Sequence, residues 1–305
     1  MSNLNVKIKE LEFNNPVIVA SGTFGYGNEL TDIIDIEKLG GIVTKTITLE
    51  ERQGNEQPRL LETTAGLLNS IGLQNPGVKT FIDEIMPFWK SVKNVRLIVS
   101  VGGNDIHEYI EVCKILKNED RIDAFELNIS CPNVKKGCMA IGQDEKLISK
   151  LIYGVKGITE KPVIVKLSPN FIDVVHAAKV CEDAECDALS LVNTFLGMAI
   201  AIDKKKPYFK NTFAGYSGPA VKPMALRFVY EAAKAVKIPV IGMGGIMNTD
   251  DALEFMIAGA NLVSLGTANF VNPIASLEII NGLNEYCEKN NIDNIKDIIK
   301  SISLK

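Results

Sequence analysis

Eight short, nearly unbroken apolar runs recur along this chain, at 16–20, 41–46, 95–100, 122–129, 162–167, 187–192, 238–243 and 261–265, and they limit its possible folds more than any other feature. A strand with one wet face alternates apolar and polar residues; these runs do not alternate, so each is expected to be covered on both faces. Segments with helical spacing lie between many of them, at 78–93, 104–118, 145–159, 171–184, 223–236 and 249–259. Parallel strands flanked by helices have this pattern. Eight such βα units, with no sign of a second sheet, predict an α/β fold of the closed (β/α)8 kind, a TIM barrel, over an open doubly wound sheet.

Barrels of 305 residues are commonly one domain, and no Ser/Gly linker or low-complexity tract divides this chain, so residues 1–305 are expected to form a single domain. A net charge of −4 argues against a broad nucleic-acid footprint, which needs clustered Lys and Arg, and points to a small-molecule substrate. The amino terminus has no apolar leader and no stretch is apolar for long enough to cross a bilayer, so no membrane association and a cytoplasmic location are expected. Six cysteines (113, 131, 138, 181, 186 and 287) include no Cys-x-x-Cys pair. Neither they nor the two histidines, His107 and His176, have the spacing of metal ligands, and no metal or iron–sulfur site is expected within the chain.

Two connections are much longer than a barrel requires: 47–77 after the second run and 194–222 after the sixth. Long connections in compact domains are usually functional, and both are predicted to emerge over the barrel mouth as a lid and a substrate wall. The runs themselves end in polar or charged residues that a core does not favour: Ser21, Lys45 with Thr46, Ser100, Asn128, Lys166, and Asn193 with Thr194. In a barrel these converge on the carboxyl rim, where catalysis is placed. Lys45 and Lys166 there suit an anionic ligand or a developing negative charge.

The fourth run leads into Asn128-Ile-Ser-Cys-Pro-Asn133, which sets the thiol of Cys131 between two amides in a proline-stiffened turn. Most free cysteines are simply small buried hydrophobes; at a strand end on the rim, this one is a candidate base. The last two runs end in Gly242-Met-Gly-Gly245 and Gly266-Thr267. Loops after the seventh and eighth strands of barrels often hold a phosphate, with glycine letting backbone N–H groups approach its oxygens. A flavin mononucleotide phosphate fits that place.

Together with Asn69-Ser-Ile-Gly-Leu-Gln-Asn-Pro-Gly77, Val192-Asn-Thr194 and Ser217-Gly-Pro-Ala220, these motifs resemble the class 1 dihydroorotate dehydrogenases, FMN enzymes of pyrimidine synthesis, over nearly the whole chain. The loop Arg52-Gln-Gly-Asn-Glu-Gln-Pro-Arg59, with Glu62-Thr-Thr-Ala-Gly66, resembles subclass 1B, whose electrons pass to NAD through a second subunit carrying FAD and a [2Fe–2S] cluster. The resemblance implies a homodimer core within a heterotetramer.

It further implies that Cys131 removes the C5 proton of dihydroorotate while hydride leaves C6 for N5 of FMN. Substrate contacts are implied for Lys45, Asn69, the stretch Ser70, Ile71, Gly72 and Leu73, and for Asn128, Asn133, Asn193 and Thr194. Cofactor contacts are implied for Ser21, Lys45, Thr46, Ser100, Asn128, Lys166, Val192, Gly218, Gly244, Gly245, Gly266 and Thr267. Two other flavin barrels are alternatives: the subclass 1A enzyme, which hands electrons to fumarate, and the dihydrouridine synthases, which act on transfer RNA and against which the acidic composition speaks.

Overall fold

A computed structural model describes residues 2–130, 141–170 and 173–303. Eight parallel strands close into a barrel: β1 (Val17–Val19), β2 (Gly41–Val43), β3 (Arg96–Val101), β4 (Ala124–Asn128), β5 (Val163–Lys166), β6 (Ala188–Leu191), β7 (Val240–Met243) and β8 (Leu262–Leu265). Neighbours in the barrel follow chain order, and β8 returns to β1 with Val263 opposite Val17. Every predicted run coincides with one of these strands, β3 extending one residue past its run to Val101. The absence of alternation has the cause expected of it: apart from Arg96 at the start of β3, every strand residue is buried, facing either the barrel interior or the surrounding helices.

Four of the outer helices begin at a side-chain cap that the sequence supplies. Asp105, Asp144, Asp173 and Asn248 accept backbone N–H bonds at the starts of Ile106–Leu116, Glu145–Lys156, Val174–Asp183 and Thr249–Ala258. Each satisfies donors that the first turn leaves free, worth about 1 kcal/mol. The expected helix at 78–93 is broken into Gly77–Thr80, a π-turn at Phe81–Ile85, and Met86–Trp89. Pro87 has no N–H to bond back along the helix, which accounts for the wider turn before it.

Two expectations need correction. The first of the eight βα units has no α-helix: β1 and β2 are joined by irregular chain with 3₁₀ turns at Asn28–Leu30 and Ile36–Lys38. Gly22, Gly25 and Gly27 all take positive φ there, which breaks helical continuity. The helix packed against β1 is instead Ala275–Lys289, from the end of the chain.

There is also a second sheet. The two long connections pair with each other in an antiparallel sheet ordered Phe195–Met198, Phe213–Ser217, Gly66–Asn69, Leu60–Thr63. Its register sets Gly215 opposite Asn69 and Tyr216 opposite Leu68. Leu68, Phe209 and Ala214 give this cap a small core of its own. Among the described residues, no helix is long and apolar enough to cross a membrane.

Candidate active site

A cavity of about 360 Å³ lies between the carboxyl ends of the barrel strands and the cap sheet, within the size range of small-molecule sites. The strand ends line it with Ser21 and Gly22 after β1, Lys45 and Thr46 after β2, Asn128 of β4, Lys166 of β5, and Val192 to Thr194 after β6. Gly244, Gly245, Gly266 and Thr267 line it from the ends of β7 and β8. The cap contributes Asn69, Ile71, Gly72, Leu73 and Gly218. Thus residues from both long connections and seven strand ends meet at one place.

Two candidates stand back from the wall. Ser100 is fully buried, its Oγ 3.0 Å from Thr46 Oγ1, so it reaches the cavity only through that hydroxyl. Ser70 is turned away, with its Oγ and carbonyl oxygen accepting from Asn55 Nδ2. Cys131 and Asn133 lie outside the described residues. Several wall residues had no sequence signal: Tyr216 of the cap, Met247 and Phe270. Ser217 Oγ accepts from Thr267 Oγ1 at 2.8 Å, tying the cap to the end of β8.

The polar groups form a connected chain. Asn128 Nδ2 donates to Thr46 Oγ1 at 3.1 Å, and Asn128 Oδ1 accepts from Ser130 Oγ at 3.0 Å. Asn193 Nδ2 donates to the same Ser130 Oγ at 2.8 Å. From the roof, Asn69 Nδ2 donates to the Gly215 carbonyl at 3.1 Å, across the pairing of the two connections. Amides oriented in this way offer both donors and acceptors to a heterocycle with alternating C=O and N–H groups.

The charge on the wall has one sign. Lys45 and Lys166 line the cavity, and among the described residues none of those lining it is Asp or Glu. Burial pushes the Lys45 ammonium below the ordinary lysine value and Arg59 adds to this, while Glu29 acts in the opposite direction. Lys166 is 4% exposed and donates to Ser21 Oγ at 3.2 Å. An anion is the partner that such a wall favours. Among the described residues, the thiols of Cys113 and Cys186 are unsuited to act as bases. Burial raises the pKa of Cys113, and Cys186 is raised by its hydrogen bond with Cys181 and then by burial.

A flat cofactor needs backbone that it can approach. At Gly22 and Gly266 an added Cβ meets nothing within 4 Å, so both leave open space at the wall. Open backbone after β1 and β8, with two lysines and several hydroxyls, fits the ring system and phosphate of a flavin mononucleotide.

The family model for dihydroorotate dehydrogenase matches residues 3–287. The chain is 52% identical over 302 residues to a Thermoanaerobacter pseudethanolicus protein named dihydroorotate dehydrogenase B (NAD(+)), catalytic subunit, covering 99% of each chain. A Bacteroides thetaiotaomicron protein of the same name is 47% identical over 304 residues, with both chains covered in full. Among solved structures, the fold is similar to that of a dihydroorotate dehydrogenase from Eimeria tenella in complex with ferulenol, with a TM-score of 0.83 at 22% identity, over 98% of this chain and 88% of the other.

Proposed function

The chain belongs to the dihydroorotate dehydrogenase family, and from that premise we propose that it is the FMN-bearing catalytic subunit that oxidises (S)-dihydroorotate to orotate in de novo pyrimidine synthesis. One observation carries the reading most directly: a cavity under the cap whose described wall residues include two lysines, four side-chain amides and no carboxylate. Dihydroorotate is an anion with an imide-like ring, and these groups match it in charge and in hydrogen-bonding pattern.

FMN, when bound, supplies the hydride acceptor for the reaction. Ser21, Lys45, Thr46, Asn128, Lys166 and Val192 hold its ring system, with Ser100 supporting Thr46 from behind. Gly218, Gly244, Gly245, Gly266 and Thr267 hold its ribityl phosphate. Asn69, Asn128, Asn133, Asn193 and Thr194 fix the substrate ring, Lys45 attracts its carboxylate, and the segment Ser70 to Leu73 closes over it. Cys131 takes the C5 proton. That proton is α to a carbonyl and weakly acidic, and a thiol of ordinary pKa near 8.5 supplies a usable thiolate fraction at neutral pH where an alcohol supplies almost none.

Electrons leave for NAD through a partner subunit that carries FAD and a [2Fe–2S] cluster. Two copies of this chain form the core of a heterotetramer in the cytoplasm, each folded as one domain. NAD is favoured over fumarate because the relatives that align along their whole length carry NAD(+) in their names.

Anaerobic spectroscopy tests the reading. Purified protein reconstituted with FMN is expected to lose its flavin absorbance band on addition of dihydroorotate. NAD reduction is expected only after the partner subunit is added. A flavin band that persists with excess substrate would refute the assigned reaction, and rapid NAD reduction by the chain alone would refute the partner.

A further inference from the structure

Glu126, two residues before Asn128 on β4, is 1% exposed and has no place in the chemistry above. Its Oε2 accepts from Ser190 Oγ at 2.9 Å, while its Oε1 is buried without a hydrogen-bond partner. That free oxygen lies 3.9 Å from Lys166 Nζ, the closest cation to it among the described residues. The geometry is directional. Ser190 fixes the carboxylate from one side, and the ammonium stands between Glu126 and Ser21 on the cavity wall.

A buried carboxylate without a counter-charge is costly enough that proteins rarely keep one. A lysine holding a flavin has no need of a buried acid behind it, because the ligand itself supplies negative charge. We propose that Glu126 is a positioning residue for the reaction: it holds the Lys166 ammonium at the cavity wall and partly neutralises it, so that the bound cofactor meets the charge of the pair. This rests on the FMN reading of the same cavity. Its consequence is a flavin that is harder to reduce than one facing an uncompensated lysine, because reduction adds negative charge at the ring and a nearby carboxylate opposes it.

The test has two arms. In FMN-free protein, Glu126→Gln, Lys166→Met and the double variant are compared by thermal unfolding. Lys166→Met alone strands a buried carboxylate and is expected to lose the most stability; adding Glu126→Gln is expected to restore part of it. Strictly additive losses overturn the pairing. Should Glu126→Gln alone fail to fold, recovery of Lys166→Met by the double variant still supports the pair, and no recovery overturns it.

In FMN-loaded protein, the flavin midpoint potential is measured by anaerobic titration. Glu126→Gln is expected to favour the reduced form by about tenfold, or about 30 mV for a two-electron couple. Glu126→Asp keeps the charge and is expected to stay near the wild type. A Glu126→Gln enzyme that is replete with FMN and unchanged in potential overturns the proposal. Wild-type protein that retains no FMN overturns the cofactor reading instead, and the FMN-free arm then still decides on the pair.

Discussion

Asn128 and Asn193 share one hydroxyl: Ser130 Oγ donates to Asn128 Oδ1 at 3.0 Å and accepts from Asn193 Nδ2 at 2.8 Å. The two amides come from the ends of different barrel strands, Asn128 closing β4 and Asn193 following β6, and this bridge sets the orientation of both toward the cavity. Ser130→Ala is therefore expected to raise KM for dihydroorotate by roughly five- to thirtyfold with a smaller change in kcat, the scale of one or two lost hydrogen bonds at about 1 kcal/mol each. Steady-state kinetics with FMN content held equal makes the comparison. A KM equal to that of the wild type would mean that the bridge does not orient the substrate amides.

Gly266 and Gly218 both line the cavity, yet an alanine is expected to act on them in opposite ways. A Cβ at Gly266 meets nothing within 4 Å, whereas at Gly218 it falls 2.6 Å from Gly66 Cα on a backbone with φ of +113°. Gly266→Ala should fold as well as the wild type and bind FMN about tenfold more weakly, because the new methyl group enters the space assigned to the cofactor. Gly218→Ala should lose about 1–3 kcal/mol of stability before any ligand is added. Flavin fluorescence titration and thermal melts read the two effects separately. Full FMN affinity in Gly266→Ala would move the phosphate site away from the end of β8.

The barrel was legible because burial on both faces removes alternation from a strand, and that loss survives in a single sequence. Rim residues such as Lys45, Asn128, Lys166 and Asn193 were legible for a related reason: an apolar run that ends in a costly polar group marks where the chain leaves the core. The cap sheet was not. Its strands are four or five residues long and contain Gly66, Gly197 and Gly215, and the pairing that joins the two connections is between residues about 150 positions apart, so no local window carries it. Ser130 was overlooked because its role depends on Asn193, which only the closed barrel brings near it. The helix Ala275–Lys289 went unmarked although its buried Ala275, Ile279, Leu283 and Cys287 recur every four residues; Gly282 and two asparagines weaken its propensity.

Cys131 carries the proposed proton transfer, and Cys131→Ala is expected to keep its FMN and its affinity for orotate while flavin reduction slows by roughly 10²–10⁴-fold, the usual worth of a general base. Cys131→Ser should fall between the two and recover only toward high pH, since an alcohol ionises far less readily than a thiol. In the wild type, the reduction rate should climb as pH approaches the ordinary thiol value near 8.5. Anaerobic stopped-flow at several pH values measures all three. An alanine variant that reduces its flavin at the wild-type rate would remove Cys131 from the reaction.

Lys45 provides a test in which pH works on stability and binding in opposite directions. Burial first, then Arg59, holds its pKa below the 10.5 of an unhindered lysine, against the pull of Glu29. Between the lowered folded value and 10.5, the unfolded chain binds more protons than the folded one, so folding stability from this group rises with pH across that window. Below the folded value the penalty is complete, and above 10.5 it is gone. In protein free of ligand, Lys45→Met is thus expected to be stabilised relative to wild type at pH 8, with the gap closing as pH approaches 10.5. Orotate binding should go the other way: it needs the ammonium, so wild-type affinity falls as pH rises through the lowered value, while Lys45→Met binds weakly and shows no such fall. Melting curves and orotate titrations over the same pH series decide it, and parallel pH profiles for the two proteins would rule out Lys45 as the carboxylate's counter-charge.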